Sequence, residues 1–550
     1  MEYEKTIHLE EPGTLGKFIS YSERQSLTSL KVTGVINRKD IDDVLDEMCS
    51  SEGHYEGDPE DDIWVEEIES SPNLRILDLS ESRFVGGNEF PYMGWYPLLE
   101  YFAYPQGIES TCDEHDSGLE CASLLNTVVL PEGLKEIGSF YGCENLTDIN
   151  LPASLEVIGD FTFSYCRKLT NIRIPRNVKY IGAGAFAQSG IGAFEVDPQN
   201  PYFTTVDGVI FSKDLKTLVA FPPLQLPHYD IPEGTEIIGT GAFEDCNLDT
   251  IHIPETVKKL DTWAFQSSGL REIYIPDSVI EIGEMCFRGS SELERIRLPQ
   301  HICQLTRQAI SGCKKLKEID IPASVKQMDI TNIVWNESLE RVCLHEGLEE
   351  ITGDRDGLCL CERGLLKEIS LPKTLRHFPG GMFHYCPDLK TFNLDPENPY
   401  LADVGGALYS HDKSKLVAVP DCHRKAFDIM DGVEEIGEFV FVGFARLEHV
   451  QLPASLKRIG HRAFNWCHSL KEITLPEGLV QMDFRTFDDC ESLQHVICLA
   501  QQPPQLNGRN PHWKFLHDSK GVVVEVPAES LSLYRDTDGW KDVNLQAIDI

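Results

Sequence analysis

The chain has 550 residues, 41% of them hydrophobic and 25% charged, and its 49 Lys and Arg against 89 Asp and Glu give a formal net charge of −40. That composition suits a folded protein, while so negative a surface repels phosphate backbones and anionic headgroups and argues against nucleic acid as a partner. The longest apolar run, Phe439 to Ala445, falls far short of the roughly 20 residues that span a bilayer, so no membrane insertion is expected.

In chain order, Met1-Glu2-Tyr3-Glu4-Lys5 lacks the basic start and apolar stretch of a secretory signal. As it stands this points to the cytoplasm; a mature form with its signal removed reads the same way. Residues 1–82 read as an N-terminal cap, with a helix expected from Asp40 to Cys49 and an exposed acidic loop from Glu56 to Asp62. Residues 83–123 form an aromatic-rich insertion, including Trp95, Tyr96, Tyr101 and Phe102, expected to staple the cap to the coils that follow. Its Cys112 and Cys121 can pair if the chain is exported.

Residues 124–498 are built from copies of one module. Leu248-Asp249-Thr250-Ile251-His252-Ile253-Pro254 returns as Leu270-Arg271-Glu272-Ile273-Tyr274-Ile275-Pro276, and again from Leu293 to Pro299 and from Leu316 to Pro322. Prolines 131, 152, 175, 232, 254, 276, 299 and 322, then 372, 453 and 476, mark the register. The Ile-x-Ile pair has the period of a short strand with one buried face, and proline ends it because it cannot donate to a ladder. Glycine after a second Ile, as in Ile158-Gly159 and Ile459-Gly460, is expected to permit a tight corner, and an Ala-Phe pair fills the interior. A single module buries too little apolar surface to fold alone, so about 15 coils are expected to stack at roughly 4.8 Å into one solenoid.

Two insertions are near copies. Asp197-Pro198-Gln199-Asn200-Pro201-Tyr202 matches Asp395-Pro396-Glu397-Asn398-Pro399-Tyr400, and each runs on through a glycine-centred turn into an apolar strand. They read as β-hairpins near 197–224 and 395–421. After Cys498 the repeat stops, and 499–550 reads as a C-terminal cap in which Ser530 to Tyr534 and Trp540 seal the open end.

Seven cysteines, at 143, 166, 246, 313, 386, 467 and 490, occupy one slot of the module and are expected to stack inside as packing residues. Disulfides along that column require Cβ vectors that face each other. Cys359-Leu360-Cys361 lacks the second ligand pair of a zinc site, and His512, Trp513 and His517 read as cap residues rather than a metal or sugar platform. No HExxH, GxSxG, GxxxxGK[ST] or strand-linked GxGxxG motif occurs.

The module Ile-Pro-x-x-Val-x-x-Ile-Gly-x-x-Ala-Phe-x-x-Cys-x-x-Leu resembles the BspA-like leucine-rich repeats, also called the Treponema pallidum type, common in surface proteins of gut and oral bacteria. The resemblance covers about residues 124 to 498. It implies a repeat solenoid coiled as a right-handed superhelix, with a parallel β-sheet on one face, used for adhesion or protein binding. It supplies no catalytic residues and no cofactor. In many relatives the N-terminal segment follows an export signal, so the resemblance points to the cell surface where the first residues point to the cytoplasm.

The strand positions that face away from the core are the informative ones. One outward column runs from Asn150 through His252, Tyr274, Arg297 and Asp320 to Thr474, and a second through Glu272, Arg295 and Glu318 to His495. His252, Tyr274, Arg295 and Arg297, with Glu272, Glu318 and Asp320 nearby, form the candidate binding patch, because Tyr and Arg are enriched at binding hot spots. Alanine at Tyr274 and Arg297 is expected to weaken binding without lowering the melting temperature. The expected function is noncatalytic binding of a protein or glycan ligand by a monomer, with no metal. The alternatives are an intracellular interaction scaffold of the same fold and a glycan-directed enzyme using paired carboxylates.

Overall fold

The computed structural model describes residues 4–24, 26–40, 74–84, 125–138, 140–223, 227–353, 365–383, 386–507, 516 and 521–549. The expected helix beyond Asp40, the acidic loop, the aromatic insertion with Cys112 and Cys121, Cys359 and Cys361, and His512, Trp513 and His517 lie outside them. The chain divides into two compact units, Met1–Leu270 and Arg271–Ile550. Both are stacks of parallel β-coils, about 19 turns over the described residues.

In the first unit the Ile-x-Ile strands pair in parallel to make a first row. The row begins in the segment read as a cap: Glu4–Leu9 pairs with Ser29–Ile36, which leads through Ile76–Asp78 and Thr127–Val129 to Asp148–Asn150. Further along, His228–Asp230 pairs with Thr250–His252. Many coils also carry a second, shorter strand at the corner, and these form a second row, as in Glu136–Ile137, Val157–Ile158 and Tyr180–Ile181. The first hairpin, Phe203–Val206 with Val209–Ser212, is antiparallel; its third strand, Thr217–Ala220, then joins the second row beside Ile237–Ile238.

The second unit repeats this plan. Its first row includes Glu272–Tyr274 with Arg295–Arg297, then Glu318–Ile321, Arg341–Leu344 and Glu368–Leu371. The second hairpin, Leu401–Val404 with Ala407–Ser410, delivers Lys415–Ala418 into a second row that continues through Glu435–Ile436, Arg458–Ile459 and Gln481–Asp483 to Gln505–Asn507. At the end of this unit Tyr534 and Trp540 are fully buried, donating to the carbonyls of Ala500 and Pro504 at 2.8 Å each.

The interior is built from ladders. Phe140, Phe163 and Phe186 stack at 5.7 and 5.8 Å, and Phe441, Phe464 and Phe487 at 5.0 and 5.6 Å. Ile253, Phe265 and Ile275 are at most 3% exposed. The slot cysteines are free thiols, and they do more than fill volume. Cys166, Cys313, Cys467 and Cys490 donate from Sγ to the carbonyl of a phenylalanine in the preceding coil, at 3.0 to 3.3 Å. Asn336, in the same slot, makes the equivalent bond to Ile310 at 2.9 Å. The slot thus takes a small side chain that also satisfies a buried carbonyl. Burial keeps these thiols protonated, with Cys313 pushed up to about 12.

The corner glycine works differently from expectation. A Cβ on Gly182 would lie 2.3 Å from the backbone nitrogen of Asp160, and one on Gly460 2.6 Å from that of Glu438. Glycine is needed there because neighbouring coils touch. The left-handed backbone falls two residues later, at Phe161, Phe439 and Arg462, with φ between 49° and 58°. Inter-coil bonds hold it there, such as Phe161 N to Ala183 O and Phe439 N to His461 O, both 2.9 Å.

Candidate functional site

Pleating sends alternate side chains of a strand to opposite faces, so the first row has one buried face and one outward face. In Glu272–Tyr274 the central Ile273 is buried while Glu272 and Tyr274 are exposed. The parallel register sets Glu272 beside Arg295 and Tyr274 beside Arg297. Tyr274 is 56% exposed, and the Arg297 guanidinium lies over its ring, 4.5 Å from the centroid. Arg297 also donates to the Ile275 carbonyl at 2.9 Å and pairs with Asp277 at 2.9 Å. The bonds from Arg297 and from the Gln300 backbone hold the Asp277 carboxyl below its ordinary range. Arg297 is therefore built into the coil and fixes the tyrosine ring, a structural duty that the strand pattern does not reveal. Arg295 is different: its side chain is 81% exposed, with Glu272 3.9 Å away.

Further along the second unit, Arg341 bridges Glu318 at 3.4 Å and Glu368 at 2.9 Å across three strands, and Asp320 is bonded to the His345 ring. Six of the seven patch residues thus share the outward face of one unit. His252 is exposed at the end of Thr250–His252, in the first unit. The patch is a row of aromatic and charged groups already oriented by neighbours, suited to holding a ligand by contact. Among the described residues no group of three or more His, Cys, Asp and Glu side chains is placed to hold a metal ion, and no helix is long and apolar enough to cross a membrane.

The strand pattern passes over a second feature. Along the second row of the second unit runs a groove of about 880 Å³. Lys415, Glu435, Arg458 and Gln481, one from each of four successive strands, form its floor. Glu435 accepts from Lys415 at 2.7 Å and from Arg458 at 2.7 and 3.0 Å. Burial raises the Glu435 carboxyl, but these two cations outweigh it and hold it below the ordinary value, so it is ionised. Tyr400, at the foot of the second hairpin, is 42% exposed with the Arg376 guanidinium 5.6 Å from its ring centroid. His461 Nδ1 stands 2.9 Å from Asp483 Oδ1. The signal for this row is the residue before each corner Ile, but one position per coil becomes a floor only once the coils are stacked.

A family profile described as "BspA type Leucine rich repeat region (6 copies)" matches residues 116–214, 219–340, 331–404 and 418–502, more than half the chain. No curated protein matches. Among solved structures, the chain is similar to a leucine rich cell surface protein of Faecalibacterium prausnitzii, with 24% identity over 49% of this chain and 60% of that one and a TM-score of 0.33. It is also similar to a leucine-rich repeat protein of Bacteroides ovatus, with 22% identity over 72% and 88% and a TM-score of 0.37. The pneumococcal vaccine antigen PcpA is similar at 17% identity over 64% and 86%, with a TM-score of 0.30. The chain spans 60% of the length of the F. prausnitzii protein.

Proposed function

The chain belongs to the BspA-type leucine-rich-repeat family, a family of bacterial surface proteins that generally bind or adhere, and from that premise we propose that it is a noncatalytic binding protein. Its ligand, a protein or a glycan, is held against the outward face of the first row, and the chain acts as a monomer at the cell surface.

One observation carries this reading. In first-row strands such as Glu272–Tyr274, Glu318–Ile321 and Glu472–Leu475 the inward residues are buried, while their outward neighbours remain exposed. Packing dictates the first set and leaves the second free to suit a ligand. Tyr274, Arg295 and Glu272, flanked by Glu318 and Asp320, form the contact centre; Arg297 holds Tyr274 in place, and His252 belongs to the face of the first unit.

The test begins with the intact chain immobilised and screened against purified extracellular proteins and a glycan array. For the ligand so found, the double change Tyr274→Ala, Arg295→Ala should lower affinity at least tenfold, about 1.4 kcal/mol. The melting temperature should fall by no more than about 2 °C, because Tyr274→Ala gives up only the exposed cation–ring contact with Arg297, about 0.5–1 kcal/mol. Full affinity in the double variant would dispose of the patch.

A further inference from the structure

We propose that the groove on the second row of the second unit binds a neutral, extended oligosaccharide lying along the stack of coils. The site is distinct from the first-row face and does not rest on that reading.

Geometry supplies the first argument. The groove reaches from Ile351 and Gly353, across the second hairpin, to Asn507 at the last strand of the row. Its long direction therefore crosses the strands, which follow one another at about 4.8 Å. An extended, equatorially linked glycan advances by about 5 Å per sugar, close to that strand spacing. A polymer of this kind can lay one sugar over each strand, its faces turning from sugar to sugar, as the floor Lys415, Glu435, Arg458 and Gln481 presents one side chain per strand. The volume lies within the roughly 300–1,000 Å³ of ligand clefts.

Chemistry supplies the second. The cations Arg376, Lys415 and Arg458 are matched by Glu435, Glu438 and Asp483, so the groove gives no net attraction to an anionic or cationic ligand. Its polar groups alternate donor and acceptor and are held in place by one another, with Glu435 between Lys415 and Arg458 and Asp483 against His461. Hydroxyl groups both donate and accept, and vicinal pairs of them suit fixed carboxylates and guanidinium groups. Tyr400 adds the amphipathic ring on which the C–H face of a sugar packs.

A peptide fits poorly. The floor strands are paired on both sides, so no edge is free for strand addition. Within the apolar lining Ile351, Phe378, Leu401, Phe439 and Met482 are each at most 5% exposed, so these five offer a peptide's side chains little surface. The first hairpin supplies an internal control, because Phe161 and Trp263 meet there at 5.8 Å over the corner formed by Gly184 and Gly241.

The experiment is calorimetric titration of the full chain with cellohexaose, xylohexaose and β-1,4-mannohexaose, with maltohexaose as the coiled, α-linked comparison. At least one β-1,4 hexamer should bind with a Kd near 1 mM or tighter, more strongly than its dimer and more strongly than maltohexaose. Tyr400→Ala should weaken that binding at least tenfold, and Arg458→Gln at least threefold. Tyr202→Ala, on the first hairpin, should leave it unchanged. Thermal melts confirm that each variant is folded, and Tyr400→Phe, which keeps the ring, should retain binding. Failure of all three β-linked hexamers to bind, a preference for maltohexaose, or binding that survives Tyr400→Ala would overturn the proposal. The first-row patch is judged separately by its own variants.

Discussion

Phe464→Ala probes the dependence of each coil on its neighbours. The Phe464 side chain is fully buried and lies between two rings, 5.0 Å from Phe441 and 5.6 Å from Phe487, nearly parallel to both. Truncating a buried phenylalanine costs about 3–5 kcal/mol, and each aromatic pair contributes about 0.5–1.5 kcal/mol beyond its area. With two such pairs lost, the cost falls at the upper end, about 4–5 kcal/mol. In a stack where coils touch only their neighbours, that loss is local. Hydrogen exchange read by mass spectrometry is the appropriate assay, because it resolves stability coil by coil where a melting temperature gives one value for many coils. Amides of Arg458–Ile459 and Glu472–Leu475 should exchange about 1,000-fold faster, since each 1.4 kcal/mol is a factor of ten. Amides of Thr127–Val129 and Asp148–Asn150, in the first unit, should keep their native rates. Acceleration of less than about tenfold in the mutated coils, or equal acceleration in both units, would refute the nearest-neighbour account.

Two further outcomes follow from particular side chains. Arg297→Ala removes a half-exposed ion pair, a bond to a backbone carbonyl and a cation–ring contact. With the ion pair discounted for solvent, the sum is about 1–2 kcal/mol, or about 3–5 °C in the melting temperature. Arg295→Ala should leave the melt unmoved, and equal melts for the two variants would refute the structural duty given to Arg297. Glu244→Gln tests a buried carboxyl: Glu244 is 4% exposed, accepts from Gln266 at 3.0 Å through one oxygen, and leaves the other without a partner. Burial, then the charges of Asp245 and Asp160, push its carboxyl well above the ordinary value. A raised folded value means that its stabilising contribution is present below the unfolded value and is lost as pH rises through the folded one. The melting temperature of Glu244→Gln relative to the native chain should therefore climb as pH rises above the ordinary carboxyl range; a difference that is flat, or that grows on acidification, would count against it.

The repeat and the patch illustrate how far a pattern carries. The spacing of Ile251 and Ile253, Ile273 and Ile275 is enough to place one strand per coil and to say which side chains turn inward, because pleating and burial act residue by residue. The same logic marks Tyr274 and Arg295 as outward. It does not separate Arg295, 81% exposed beside Glu272, from Arg297, which is bound to Asp277 three residues beyond its register partner Tyr274, because that difference depends on what the neighbouring coil offers.

By itself, then, the sequence determined the coil, its two-faced strand, the hairpin insertions and the residues kept for the interior, all of which follow from local periodicity and from what proline and glycine forbid. Tertiary structure alone decided the second row of strands, the thiols donating to phenylalanine carbonyls, the unpartnered oxygen of Glu244 and the groove beside the second hairpin. Each of these depends on residues twenty or more positions apart in the chain. Its distance is fixed by how one coil settles on the next, which no single module encodes.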